Sequence, residues 1–108
     1  MVLIQVLLPT SFSKGGVRQD TTAALAETRR ELAEVFEGLT AYVRSPARGM
    51  WTAPNGTTEQ DDVLLVEVVT PRFDRSWWRT YEARLAGRFR QETIHIRAIP
   101  LELLADAP

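Results

Sequence analysis

The run Val63-Leu-Leu-Val-Glu-Val-Val69 constrains this chain most. Six of its seven residues are aliphatic, so it lacks the apolar-polar alternation of a half-solvated strand. Such a run, rich in branched residues and closed by Pro71, reads as a central strand buried on both faces. A strand of that kind needs strands beside it and a layer of helix over it. Its one polar interior residue is Glu67.

The remaining elements follow from spacing. Residues 2–8 alternate as a first strand, with Val2, Ile4, Val6 and Leu8 on one side and Leu3, Gln5 and Leu7 on the other. Residues 9–19 read as a polar, glycine-containing loop. Asp20 is placed to cap a helix over 21–37, with Leu25, Thr28, Leu32, Val35 and Phe36 on one stripe, Arg30 and Glu34 paired outside, and Gly38 closing it. Residues 39–45 alternate as a second strand that Pro46 ends. A short strand around Gly49-Met50-Trp51 and the turn pair Asn55-Gly56 predict a hairpin into the central strand. Asp74 or Ser76 would cap a second helix over 75–90, where Trp77, Tyr81, Leu85 and Phe89 recur every four residues and Trp78 flanks them. A last strand covers 92–99, with Leu101–Leu104 as a possible further strand.

The order β-α-β-β-α-β predicts an α+β single domain over residues 1–108 with a ferredoxin-like architecture. A four-stranded antiparallel sheet would carry both helices on one face, its strands ordered fourth, first, third, second. The chain's 108 residues suffice for one core without a disulfide or a metal. Cysteine is absent, which removes thiol chemistry and iron–sulfur clusters, and with a single histidine no metal site and no cofactor is expected. Twelve of the 13 basic residues are arginine, yet the net charge is −1, so there is no basic field for nucleic acid. The apolar start, about eight residues, is too short to span a bilayer, which takes about 20. It lacks the marks of a signal peptide, and a soluble cytoplasmic protein with no membrane partner is expected.

Function, if it is written anywhere, is written on the sheet face away from the helices. The helix side takes Ile4, Val6, Val66, Val68, Ile94, Ile96 and Ala98. The open side takes Leu3, Gln5, Leu7, Tyr42, Arg44, Leu65, Glu67, Val69, His95, Arg97 and Ile99. Five large aliphatics there ask for a cover. The simplest is a second copy of the same sheet, giving a homodimer with an enclosed cavity. Gln5, Tyr42, Arg44, Trp51, Glu67, His95 and Arg97 are the candidate ligand-binding residues. His95, Gln5 and Glu67 are expected in one row across three strands, and His95 and Glu67 are the candidate acid–base groups. Aromatic residues are missing from the first and third strands of this face, which argues against RNA stacking.

Other signals are weaker. Ser13-Lys-Gly-Gly16 precedes a helix but lacks the spacing of a phosphate-binding loop. Arg75, Arg79, Arg84, Arg88 and Arg90 read as a solvated helix face. The segment from Gly38 to Arg97 resembles a family of small, uncharacterised bacterial domains of ferredoxin-like fold. The resemblance rests on Gly38-Leu39-Thr40, Gly49-Met50-Trp51, Asn55-Gly56, VLLVEVV, Tyr81 and Phe89-Arg-Gln-Glu92. It covers a little over half of the chain, not the SFSKGG segment, and implies the fold without an activity. More loosely, the topology is similar to the dimeric α/β-barrel group, which includes monooxygenases, small isomerases and dehydratases, and domains that only bind or oligomerise. The histidine of its haem-degrading members has no equivalent here that transfers to His95.

The expected function is a homodimerising domain that binds a small organic ligand on its sheet face. The alternative is a cofactor-free enzyme of the dimeric α/β-barrel type, monooxygenase- or isomerase-like, using His95 or Glu67 in proton transfer. A third reading is a protein-interaction module built on the arginine-rich second helix.

Overall fold

The computed structural model describes residues 1–36, 39–40, 47–52 and 58–104. It is an α+β fold with two helices and antiparallel sheet. Strand β1 (Val2–Pro9) runs between β6 (Thr58–Thr70) and β7 (His95–Pro100), antiparallel to both. Two further strands, β4 (Leu39–Thr40) and β5 (Ala47–Thr52), pair with β6, at Val68–Glu67 and at Val63–Thr58 respectively. The central strand thus starts five residues before the aliphatic run and forms the expected hairpin with β5. The Asn55-Gly56 turn, Gly38 and the 41–46 part of the second strand lie outside the described residues.

The segment read as a loop folds differently. Strands β2 (Ser11–Lys14) and β3 (Val17–Asp20) pair as a hairpin around Gly15-Gly16. Both glycines have positive φ, 58° and 80°, as a type I′ two-residue turn requires. Polar composition alone concealed it. The Gly-Gly pair between two extended stretches was the usable signal.

Helix α1 (Thr22–Val35) begins one residue later than expected. Thr21 occupies the cap position and its hydroxyl is turned away, donating to the Pro9 carbonyl at 2.7 Å. Asp20 still serves the helix start, its carboxylate accepting the Thr22 N–H at 3.1 Å, which holds its pKa below the usual value. Leu32 and Thr28 are buried, the latter with its hydroxyl bonded to the Ala24 carbonyl four residues back. Val35, expected on the buried stripe, is exposed because the helix ends there and Phe36 turns into extended backbone.

Helix α2 (Arg75–Arg88) is capped by Asp74, whose carboxylate accepts the Trp77 N–H at 3.1 Å. The buried stripe is Trp78, Tyr81, Leu85 and Phe89; Trp77 is only half-buried, so the two tryptophans exchange the roles the spacing suggested. At the other end the Gln91 N–H reaches the Ala86 carbonyl and the Arg90 N–H that of Gly87, the Schellman arrangement. Arg90 holds the left-handed position, φ 54°, where glycine is the unstrained residue. Arg90→Gly is expected to raise the unfolding free energy by about 0.5–1 kcal/mol, less what its guanidinium contributes over the Phe12 ring, 5.9 Å away. Urea denaturation of the two proteins reads this directly.

One core joins these elements. Ile4, Val6 and Leu8 of β1 and Val66 and Val68 of β6 meet Leu32 of α1, Trp78, Tyr81 and Leu85 of α2, and Phe89 and Ile94. The even-numbered residues of the sheet therefore face both helices, as alternation predicted. Residues 101–104 form no strand, although the Leu101 N–H adds one bond to the Met1 carbonyl beyond β7.

Candidate functional site

The side of β6, β1 and β7 away from this core is arranged in three rows by the pairing register. Leu3 stands between Val69 and Ile99, Gln5 between Glu67 and Arg97, and Leu7 between Leu65 and His95. Two mainly aliphatic rows flank one polar row. Within the polar row the Gln5 amide bridges both neighbours: its Nε2 donates to Glu67 Oε2 at 3.0 Å, and its Oε1 accepts from Arg97 Nε at 2.7 Å. Opposite charges about 10 Å apart, two strand spacings, are thus joined through a neutral side chain.

This corrects the expected row of His95, Gln5 and Glu67. His95 lies one row along, beside Leu7, and Arg97 takes the place assigned to it. Glu67 and His95 are therefore not bridged by Gln5, and a proton relay through all three is not formed. Glu67 is the most enclosed of the group at 8% exposure, whereas His95 and Arg97 are exposed. Tyr42 and Arg44 lie outside the described residues. Trp51 is on β5, in register with Glu59.

A second polar cluster ties the helices together, and sequence reading missed it. Arg88 Nη1 and Nη2 donate to the two carboxylate oxygens of Glu31 at 2.7 and 2.9 Å. Arg88 Nη1 also reaches Thr28 Oγ1 at 2.9 Å, and the Tyr81 hydroxyl donates to Glu31 Oε1 at 2.9 Å. Glu27 and Arg84 stand at the margin, 3.7 and 3.8 Å from Arg88 and Glu31. The Arg88 side chain is only 14% exposed, so it does not belong to a solvated face. The available signal was a pair of carboxylates four residues apart on α1 and a pair of arginines four apart on α2. The Arg88 bond holds the Glu31 carboxyl below its ordinary value, against the opposing effect of burial and with help from the Tyr81 hydroxyl. Burial, then the Glu31 bond, pushes the Tyr81 phenol well above its ordinary value.

Aromatic rings extend this cluster: Trp77 stacks on Tyr81 with centroids 4.9 Å apart, and Phe36 stacks on Trp78 at 5.4 Å. A cleft of about 280 Å³ opens on the helix side, lined by Phe73, Trp78, Ile94 and Ile96 with exposed Arg75 and Arg79. Glu82 at its edge is occupied, accepting the Ile94 N–H at 2.8 Å. No cluster of three histidine, aspartate or glutamate side chains able to hold a metal occurs among the described residues. No described helix is long and apolar enough to cross a membrane.

No family model, no curated protein and no solved structure matches this chain.

Proposed function

We propose that the chain is a homodimerising domain that covers its open sheet face with a second copy and holds a small organic ligand between the two sheets. The observation that carries this reading is the row pattern: Leu3, Val69 and Ile99 on one side, Leu7 and Leu65 on the other, around the Glu67–Gln5–Arg97 bridge. Ile99 keeps 40% of its surface exposed, on the face opposite to the one that α1 and α2 cover. Apolar rows of this kind gain from burial at about 25 cal/mol per Å². The polar row between them would give the partner sheet, and a ligand beside it, oriented donors and acceptors.

The ferredoxin-like description belongs to the same proposal, supported by the pairing of β6, β1 and β7 and by β4 on the far side of β6. So does kinship with the small bacterial domains and, more loosely, with the dimeric α/β barrels.

Leu7→Glu tests it. Leu7 points away from the helix-side core, so the variant is expected to keep its far-UV circular dichroism and to run as a monomer where the wild type is a dimer. An unchanged dimer mass for the folded variant would remove the open face from the interface.

A further inference from the structure

Glu67 poses a specific problem. It is a carboxylate at 8% exposure, and among the described residues no lysine, arginine or histidine forms an ion pair with it. Its described side-chain partner is the neutral Gln5 amide. Buried acids are ordinarily paired with a cation. Arg97 presents the converse: an exposed guanidinium whose Nε is fixed by Gln5, with no carboxylate partner for its terminal nitrogens among the described residues. β1 keeps the two charges apart within one chain.

We infer that the second copy docks about a two-fold axis parallel to β1 and passing over Gln5, so that Arg97 of each protomer pairs with the partner's Glu67. This rests on the homodimer proposed above and specifies its geometry. Two sheets stacked face to face with their strands aligned can be related by an in-plane two-fold axis along the strands or by one across them. An axis across the strands sets Glu67 over the partner's Glu67 and Arg97 over the partner's Arg97. An axis along β1 exchanges the two flanking strands, so β7 lies over the partner's β6. Each positive charge then meets a negative one, twice per dimer.

The same operation keeps the rows aligned. Leu3 meets the partner's Leu3, Ile99 meets the partner's Val69, and His95 lies over the partner's Leu65. Central strands related this way run in the same direction, within the roughly 30° that twist imposes on aligned sheets. An arginine side chain spans most of the about 10 Å between packed sheets. Fixing Nε through Gln5 leaves the terminal nitrogens to make the contact, and the Gln5 bridge becomes a positioning device for a charge pair between chains.

Charge reversal tests the axis. Arg97→Glu and Glu67→Arg are purified separately, and dimerisation is followed by sedimentation velocity and light scattering. Each alone would place like charges across the interface at both sites, and its dimer is expected to weaken by at least about tenfold. Mixed, they restore opposite charges at both sites, and a heterodimer within about threefold of wild-type affinity is expected. If Glu67→Arg does not fold, the double variant R97E/E67Q replaces it, and recovery of most of the affinity lost in R97E is expected, since the introduced carboxylate then faces a neutral amide. A wild-type dimer whose R97E variant associates equally tightly overturns the inferred axis and leaves the homodimer standing. So do folded single variants that fail to form the mixed dimer, and an R97E/E67Q protein as weak as R97E. A monomeric wild type overturns both.

Discussion

Phe89→Ala is expected to lower the unfolding free energy by about 3–5 kcal/mol, the upper range for truncating a buried side chain. Phe89 has no exposed surface and is the largest of the fully buried side chains among the described residues. It ends α2 and packs into the core formed by Ile4, Val6 and Leu8 with Leu32 and Leu85, so the two helices and the first strand meet around it. Removing the ring forfeits its transfer free energy and leaves a void that residues on a sheet and two helices cannot all move to fill. A domain of this size has about 5–15 kcal/mol to lose, so the variant is marginal or unfolded at 37 °C. Urea denaturation at low temperature measures the change. Val17→Ala, at an exposed position on β3, serves as the comparison and is expected to stay within about 0.5 kcal/mol of wild type. A Phe89→Ala loss below about 1 kcal/mol would contradict this packing.

Arg88→Ala is expected to cost about 2–3 kcal/mol. The guanidinium makes two bonds to Glu31 and one to Thr28 from a position 14% exposed. Its removal leaves a carboxylate, itself only 20% exposed, with the Tyr81 hydroxyl and the more distant Arg84 as remaining partners. Most of the cost is that under-compensated charge. The triple variant E31L/R88M/Y81F, which removes the carboxylate, the guanidinium and the phenolic hydroxyl together, is therefore expected to recover much of the loss. Arg88→Lys keeps the charge and loses the fork, and should fall between.

The cluster also fixes a pH dependence. Glu31 is shifted below its ordinary value of 4.5 by the Arg88 bond. Its contribution is thus present above pH 4.5 and is lost as pH falls through the lowered folded value. Tyr81 is shifted the opposite way, so its contribution is present below its ordinary value of 10.0 and is lost as pH rises beyond it. Glu31→Gln is expected to flatten the acid limb of the stability profile. A variant with the wild-type slope below pH 4.5 would place the acid sensitivity elsewhere.

The sequence made some features legible and hid others for identifiable reasons. Alternation in Val2–Leu8 separates core from open face because one side of β1 meets apolar helix residues and the other does not. Pro71 and Asp74 mark the start of α2 because a capping carboxylate has a local job. Row identity was hidden. A register slip of one residue reverses every side chain and is visible in the hydrophobic pattern, whereas a slip of two residues preserves both faces. His95 and Arg97 differ by such a slip, so the pattern alone could not say which one Gln5 would meet. The Glu31–Arg88 cluster was hidden because the carboxylates of α1 and the arginines of α2 cancel in the net charge, and each helix alone reads as an ordinary solvated face. The β2–β3 hairpin was hidden by its polar residues, which contribute little to a core and pair through backbone.

The central claim, that the open face is covered by a second copy, is tested most directly by the solution mass from size exclusion with light scattering, taken across a dilution series. A mass of twice the 12.2 kDa chain, falling toward one chain only on dilution, is the predicted result. A mass of 12.2 kDa at every concentration would contradict it and return His95, Gln5 and Arg97 to the role of polar residues on a solvated sheet.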